Sequence, residues 1–273
     1  MNRDTLQVVL SDLHSGSNYA LFVNRAWRGD KDMTRIPSSK QQAIRRVWDE
    51  YIEVVKRIRK GKRVILVHNG DAIDGDHHNS SDVCSRSPLN QADIHIELMN
   101  EFQKRIGWQR GDEIYYTRGT QTHVNEYEDY IGREMNAVMD GEYHVFDLLK
   151  LKTNGVVSWF VHHGPGRGAG ANEGSPMRAW LKNIYHEATK DHTAIPDIVY
   201  TGHVHNPTYN DYIYRDKMNF RIIHGVILPS WQMKTKYAWE KASVSVNKIG
   251  GVVHEIKADG TICLPVFCAY DVS

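Results

Sequence analysis

The sequence is short of cysteine and of long apolar runs, and each shortage removes a class of protein. Its 273 residues include three cysteines, Cys84, Cys263 and Cys268, with no Cys-x-x-Cys spacing. This odd, scattered set argues against a disulfide framework, fits a reducing cytoplasm, and leaves nitrogen and oxygen atoms as metal ligands. No apolar run approaches the roughly 18 residues of a membrane span, and the N-terminus has no apolar signal region. We therefore expect a cytoplasmic protein without a membrane partner.

An excess of charge is also missing. Lys and Arg total 34, Asp and Glu total 33, and the net charge is +1. A near-neutral chain does not bind nucleic acid through bulk charge, so any such binding would need a local basic patch. What the chain has in plenty is histidine, with 15 residues. Those that follow apolar segments are candidate metal ligands.

Apolar segments followed by polar loops recur along the chain. In the first half, three strand–loop–helix units begin with predicted strands at 6–10, 63–68 and 114–117, and the third unit ends in a predicted helix over about 127–139. The second half is mostly strand-like, with stretches such as 242–247, 251–256 and 262–270. This texture predicts an α/β protein, with two packed sheets and helices outside, and a single domain over 1–273.

Side chains of metal-ligand type follow four of the predicted strands. Asp12 and His14 follow the first strand, Asp71 and Asp74 follow the second, and the remainder lie in the second half: His163, His203 and His205. Loops at the carboxyl ends of strands commonly carry function in α/β proteins. An isolated Asp-x-His usually occurs by chance in a loop without a functional role, and Gly-Asp-x-x-Asp is often only a turn. The ordered set of such blocks, each after an apolar strand, indicates a metal site.

The set has enough ligands for two cations. Asp71, at a tight Gly-Asp turn, is the candidate bridging carboxylate, and Asp74 would orient a ligand or close the turn. The other ligands divide into one group for each cation: Asp12, His14 and His205 for the first, His163 and His203 for the second. Mixed nitrogen and oxygen ligands favour Mn²⁺, Fe, Ni or Zn over Ca²⁺, with Mn²⁺ the first choice. Two such ions roughly 3.5–4 Å apart activate a bridging water, as hydroxide, for attack on phosphorus.

These blocks resemble the calcineurin-like metallophosphoesterases, whose pattern is Asp-x-His, Gly-Asp-x-x-Asp, Gly-Asn-His-Asp/Glu, His-Gly and Gly-His-x-His. The resemblance runs from Asp12 to His205 and is strong in four of the five blocks. It implies a two-sheet β sandwich flanked by helices (a four-layer αββα fold) and a metal-dependent phosphoesterase. On this resemblance His163 is the ligand because it directly precedes Gly164, and His162 is a neighbour that points into the core.

The remaining block departs from the family pattern. Arg118 and Gly119 are kept, but Thr120 stands where the family has its Asn ligand, and a histidine follows later, at His123. This Gly-Thr-x-x-His form resembles phage-encoded members of the family, for which the location would be the host cytoplasm. The resemblance implies that His123 protonates the leaving oxygen or stabilises the transition state. A hydroxyl is a poorer ligand than an amide oxygen, so Thr120 would weaken the second cation site.

Other residues near these blocks are candidates for contact with the substrate. They are Arg118, His78 after the Asp71 turn, and Arg167 in the Gly-rich loop 164–174. That loop lacks the Gly-Lys-Ser/Thr ending of a nucleotide-binding P-loop, so we interpret it as a rim or lid. The stretch 229–239 mixes aromatic residues with lysines and either stacks a base or packs Trp231 into the core.

The substrate class follows only by analogy with the family. We expect phosphodiesters of nucleic acid or nucleotides. Phosphomonoesters, including phosphoproteins, are the alternative within the same chemistry, and a non-catalytic metal-binding relative is the alternative outside it. The oligomeric state is not predicted.

Overall fold

The computed structural model describes residues 3–29, 34–76, 82–124, 126–166, 168, 172–216, 219–235 and 248–271. The strands in chain order are β1 (Thr5–Leu10), β2 (Trp27–Arg28), β3 (Thr34–Arg35), β4 (Arg63–Asn69), β5 (Glu113–Thr117), β6 (Leu149–Thr153), β7 (Val156–Val161), β8 (Ile198–Thr201), β9 (Thr208–Asp216), β10 (Asn219–Ile227), β11 (Lys248–Ile256) and β12 (Val266–Asp271). The helices are α1 (Ser39–Arg59), α2 (Pro88–Ile106), α3 (Gln121–Val124), α4 (Tyr127–Glu134) and α5 (Ser175–Lys190).

Ten of these strands form two five-stranded sheets. The first sheet has the order β12-β11-β1-β4-β5, and the second has the order β6-β7-β8-β10-β9. Within the first sheet β1, β4 and β5 are parallel. Within the second, β7, β8 and β10 are parallel. Parallel neighbours bring their carboxyl ends to one edge of each sheet, so the loops that follow them lie close together.

Side-chain alternation along β1 explains why all six of its residues are buried. Val8 and Leu10 face the helices, in the cluster that holds Trp48 of α1 and Phe102 of α2. Val9 faces the opposite way, into the cluster between the two sheets. The far face of the second sheet packs against α5. The layers are therefore helix, sheet, sheet and helix, which confirms the predicted sandwich.

Two segments differ from the sequence-based expectation. The helix predicted over about 127–139 ends at Glu134, because Asn136 adopts a left-handed conformation (φ 51°) and the Ala137 amide bonds back to the Gly132 carbonyl. The strand predicted over 262–270 begins only at Val266, and the one predicted over 242–247 lies outside the described residues. In the described part of the chain no helix is both long and apolar enough to cross a membrane.

Candidate metal centre

Five loops converge at one end of the sandwich, three from the first sheet and two from the second, and the loop after β5 carries Thr120. The loops after β1 and β4 carry the predicted aspartates, and the loops after β7 and β8 carry the predicted histidines. Nine non-glycine residues of the described chain have a left-handed backbone, and five of them are predicted ligands: Asp12, His14, Asp71, His203 and His205. Such conformations are uncommon and concentrate at functional sites.

The first group of candidate ligands is the aspartate–histidine triad, defined as Asp12, His14 and His205. His205 Nε2 lies 3.1 Å from Asp12 Oδ1 and 3.3 Å from His14 Nε2. His14 Nε2 lies 4.0 Å from the same Asp12 oxygen. Three ligand atoms thus surround one small gap, which is the arrangement a cation needs.

Asp74 lies behind this triad and orients it. His14 Nδ1 donates to Asp74 Oδ1 at 3.0 Å, and Gln232 Nε2 donates to the same oxygen at 3.0 Å. Burial opposes a charged His14, but its hydrogen bond to Asp74 raises the pKa of the ring above the ordinary value. A carboxylate on the rear nitrogen fixes the tautomer and presents Nε2 to the gap.

Asp71 lies between the triad and the histidines of the second sheet. Its Oδ1 accepts the Thr120 N–H at 2.6 Å, and its Oδ2 accepts the Thr120 hydroxyl at 3.2 Å. The same Oδ2 lies 3.8 Å from His14 Nε2 and 3.1 Å from His162 Nε2. Gly119 makes this approach possible, because a Cβ there would lie 2.2 Å from the Asp71 nitrogen.

His162 points into the core, as the sequence analysis expected, but it also faces the candidate metal centre. It is buried, its Nδ1 donates to the Asn69 carbonyl at 2.8 Å, and its Nε2 faces Asp71 without forming a hydrogen bond of good angle. The signal that could have revealed this is the alternation along β7. Ser158 and Phe160 are buried there, and His162 continues the same inward series.

The second group of candidate ligands is the three-histidine cluster, defined as His162, His163 and His203. His163 and His203 are exposed, and their ring centroids are 4.8 Å apart. The Thr120 hydroxyl lies 3.2 Å from His163 Nε2 and 3.4 Å from His203 Nδ1. The predicted ligand His163 is therefore at the centre together with the unpredicted His162.

The electrostatics of the two groups suit the replacement of a proton by a cation. Burial opposes ionisation of Asp12, but His205 and His162 lower its pKa well below the usual range. Burial likewise opposes ionisation of Asp71, but His162 and His14 lower its pKa. Although burial works against it, the two carboxylates raise the pKa of His162 to about 9. A cation bound between these groups would therefore take the place of the proton on His162.

His123 lies beside the triad on its short helix α3. Its Nδ1 donates to the Asp74 carbonyl at 2.8 Å, and its ring meets that of His14 edge-on at 4.8 Å. Because Nδ1 carries the hydrogen in this bond, Nε2 is the ring nitrogen left to accept or release a proton.

Glu128 was not among the predicted site residues, yet it joins the two site loops. It is fully buried in α4. One carboxylate oxygen accepts the Ala72 N–H at 3.2 Å and the other accepts the Gly119 N–H at 2.7 Å. Burial raises the pKa of Glu128 to about 8. The sequence offers no signal for this role, because a glutamate in a short helix usually faces solvent.

Four other predicted residues have three different outcomes. Arg118 lies next to Gly119, but its Nε donates to Asp147 at 2.7 Å on the surface. His78 and Arg167 lie outside the described residues. Trp231 is fully buried and packs edge-on against Trp48, so it belongs to the core and does not stack a base.

Comparison with known proteins adds little to this geometry. No family profile and no curated protein matches the chain. Among solved structures, the sulfate thiohydrolase SoxB of Thermus thermophilus, in complex with glycerol, aligns over 99% of this chain with 9% identity and a TM-score of 0.39. The chain spans 57% of the SoxB structure. Protein TM1076 of Thermotoga maritima aligns over 98% of this chain and 99% of its own, with 13% identity and a TM-score of 0.35. At these values neither likeness carries a functional argument.

Proposed function

We propose that this protein is a metal-dependent phosphoesterase that acts through two divalent transition-metal ions. The proposal rests on the position of Asp71, whose Oδ2 is 3.8 Å from His14 Nε2 of one ligand group and 3.1 Å from His162 Nε2 of the other. A carboxylate shared by two ligand groups is what a dinuclear hydrolytic centre requires. The ligands come from both sheets, which supports treating residues 1–273 as one domain.

The donor set fits such ions. The candidate ligands are carboxylate oxygens and imidazole nitrogens, which suit Mn²⁺, Fe, Ni and Zn. The buried Nε2 of His162 lies 3.1 Å from Asp71 Oδ2, and the two atoms are close enough to hold one ion together. When bound, the two ions would polarise the phosphoryl oxygens and lower the pKa of a water.

The chain's own residues have distinct tasks in this proposal. Asp71 would join the two ion sites, and Thr120 holds it through two hydrogen bonds. Asp74 holds His14. His123, with Nδ1 on the Asp74 carbonyl, would give a proton from Nε2 to the leaving oxygen.

Within this class we propose phosphodiesters of nucleic acid or nucleotides as the substrates. The support is the resemblance of the Gly-Thr-x-x-His block to phage-encoded family members, together with the exposure of His163 and His203 at the mouth of the centre. An open mouth leaves room for the second ester group of a diester.

The experiment measures turnover of bis(p-nitrophenyl) phosphate and of p-nitrophenyl phosphate by protein reloaded with Mn²⁺ or Zn²⁺. We expect turnover with a preference for the diester, and D71N should lower both rates by more than about a hundredfold. The matched control is D140N, because Asp140 is exposed. An active D71N protein would contradict the mechanism. Bound metal without turnover of either ester would identify a non-catalytic binding protein.

A further inference from the structure

Strand β9 is the outer strand of the second sheet, and in the described chain no further strand pairs with its outer side. It has nine residues, whereas the other edge strands of the two large sheets are shorter: β12 has six, and β5 and β6 have five each. The opposite edge of the same sheet, β6, carries Lys150 and Lys152, and lysines on an edge strand hinder the addition of another strand. β9 has neither lysine nor proline, and its pairing with β10 is continuous over nine residue pairs, without a bulge. Because β9 lacks these protections, another strand can add to it.

One face of the hairpin formed by β9 and β10 is apolar and exposed. Tyr212 and Tyr214 turn toward α5, where both rings contact a tyrosine of that helix. Ile213 lies between them and therefore points to the opposite face. There it is 62% exposed and lies directly across from Ile222 of β10, and Phe220, on the same face, is 77% exposed. Contiguous apolar residues on a protein surface mark an interaction site.

The charges around Ile213 suit pairing with a second copy of the same strand. Asp211 and Arg215 each lie two residues from Ile213, so they share its face and have opposite charges. If two β9 strands pair antiparallel with Ile213 opposite itself, Asp211 of each copy lies opposite Arg215 of the other. Opposite charges and apolar side chains both form favourable pairs across neighbouring strands. The strand is thus self-complementary about Ile213, which is what a two-fold symmetric interface requires.

We infer that this protein forms a two-fold symmetric dimer in which the β9 strands of two copies pair antiparallel. The second sheets of the two copies then join into one sheet of ten strands. Ile213 and Ile222 of both copies form an apolar row across the two-fold axis, and the outer backbone groups of β9 gain hydrogen-bond partners. The charges identify the partner, because a second β9 supplies both an arginine for Asp211 and an aspartate for Arg215. The inference is independent of the proposed metal chemistry.

The first test is the mass of the full-length protein in solution, measured by analytical ultracentrifugation over a concentration series. We expect a species of twice the chain mass of 31.4 kDa. I213K would place two lysines against each other at the axis, so it should weaken the dimer by about tenfold or more. The matched control is I36K, because Ile36 is similarly exposed, at 75%, and follows β3. I36K should remain dimeric, and both variants should keep the wild-type circular dichroism spectrum.

The second test examines the register of the two strands. D211R alone sets like charges opposite each other at both ends of the interface, as does R215D alone, so each variant should dimerise about tenfold more weakly. An equimolar mixture of D211R and R215D should recover the dimer, because each pair across the axis then joins an arginine with an aspartate. Asp211 Oδ1 also lies 2.8 Å from His224 Nδ1. Mixing cannot restore that contact within D211R, so recovery reports the pairing between copies.

Three outcomes would overturn the inference. Wild-type protein that stays monomeric would mean that β9 is covered by another occupant, such as segment 236–247 of the same chain or a different protein. A dimer that survives I213K would use another surface. A mixture of D211R and R215D that dimerises no better than either variant alone would show that Asp211 and Arg215 do not meet across the interface.

Discussion

Glu128 allows a prediction whose size follows from the structure. Its carboxylate is fully buried and accepts the N–H groups of Ala72 and Gly119, which adjoin Asp71 and Thr120. In the folded protein its pKa is about 8, against an ordinary value of 4.5, because burial disfavours the charged form. When folding raises the pKa of a carboxyl group, its contribution to the stability of the protein is fully present at pH values below the unfolded-state pKa. That contribution is lost as the pH rises through the folded-state pKa.

The magnitude can be worked out for E128Q, which keeps the shape and removes the charge. Between about pH 5.5 and about pH 8.5, the free-energy cost of ionising Glu128 in the folded wild-type protein rises by about 3 kcal/mol. Glutamine has no such cost, although its NH₂ group faces a backbone N–H and loses about 1–3 kcal/mol at any pH. The free energy of unfolding of E128Q should therefore gain about 3 kcal/mol relative to wild type over this range.

The assay is urea denaturation of chelator-treated protein at the two pH values. The contributions of other titrating groups to the free energy of unfolding cancel when E128Q is compared with wild type at the same pH. The control is E126Q, because Glu126 is exposed two residues earlier, and its difference from wild type should not change with pH. A difference for E128Q that stays constant within about 0.5 kcal/mol would refute the reasoning. Because Glu128 joins the two site loops, E128A should also weaken metal binding by about tenfold or more.

Two further substitutions test the support of the ligands. G119A would place a Cβ 2.4 Å from Asp71 Oδ1, so we expect it to displace the carboxylate and reduce metal binding measured by calorimetry. G166A, whose Cβ would meet nothing within 4 Å, should bind metal normally, and an unaffected G119A would contradict the close approach. D74N weakens the acceptor that orients His14, so metal affinity should fall by about 10–100-fold with little change in secondary structure by circular dichroism. Wild-type affinity in D74N would mean that His14 is held by other contacts.

The gathering of ligands could be predicted from sequence because it depends on local pattern. Asp12 follows β1 and Asp71 follows β4, and these parallel neighbours end side by side. Short apolar runs before polar residues were sufficient to locate both strand ends. The same reasoning could not give Glu128, since its role depends on the distant Ala72 and Gly119 amides, and no periodicity in α4 marks it.

Which face a side chain takes was a harder problem than which loop it lies in. Motif resemblance selected His163 from the His-His-Gly sequence, whereas strand alternation places His162 on the inner face with Phe160. Both rings lie at the centre because β7 ends at Val161, where the chain turns and neighbouring side chains no longer point to opposite faces. A motif match identifies the residue type, whereas strand alternation identifies the face to which a side chain points. Both criteria are needed to choose between neighbouring residues at the end of a strand.

The geometry of the centre depends on how the two sheets are joined, because Asp71 follows a strand of one sheet and His162 a strand of the other. Asn69, at the end of β4, links them. Its side-chain amide donates to the Val161 carbonyl at 3.2 Å, and its backbone carbonyl accepts His162 Nδ1 at 2.8 Å. Its side-chain oxygen in turn accepts the Thr117 hydroxyl of β5 at 2.8 Å. All these groups are buried or nearly so, and a buried network of this kind is rigid when every member is satisfied. The distance between Asp71 and His162 is therefore set by the packing of the sandwich, and a bound ion would add to an arrangement that the protein core already holds.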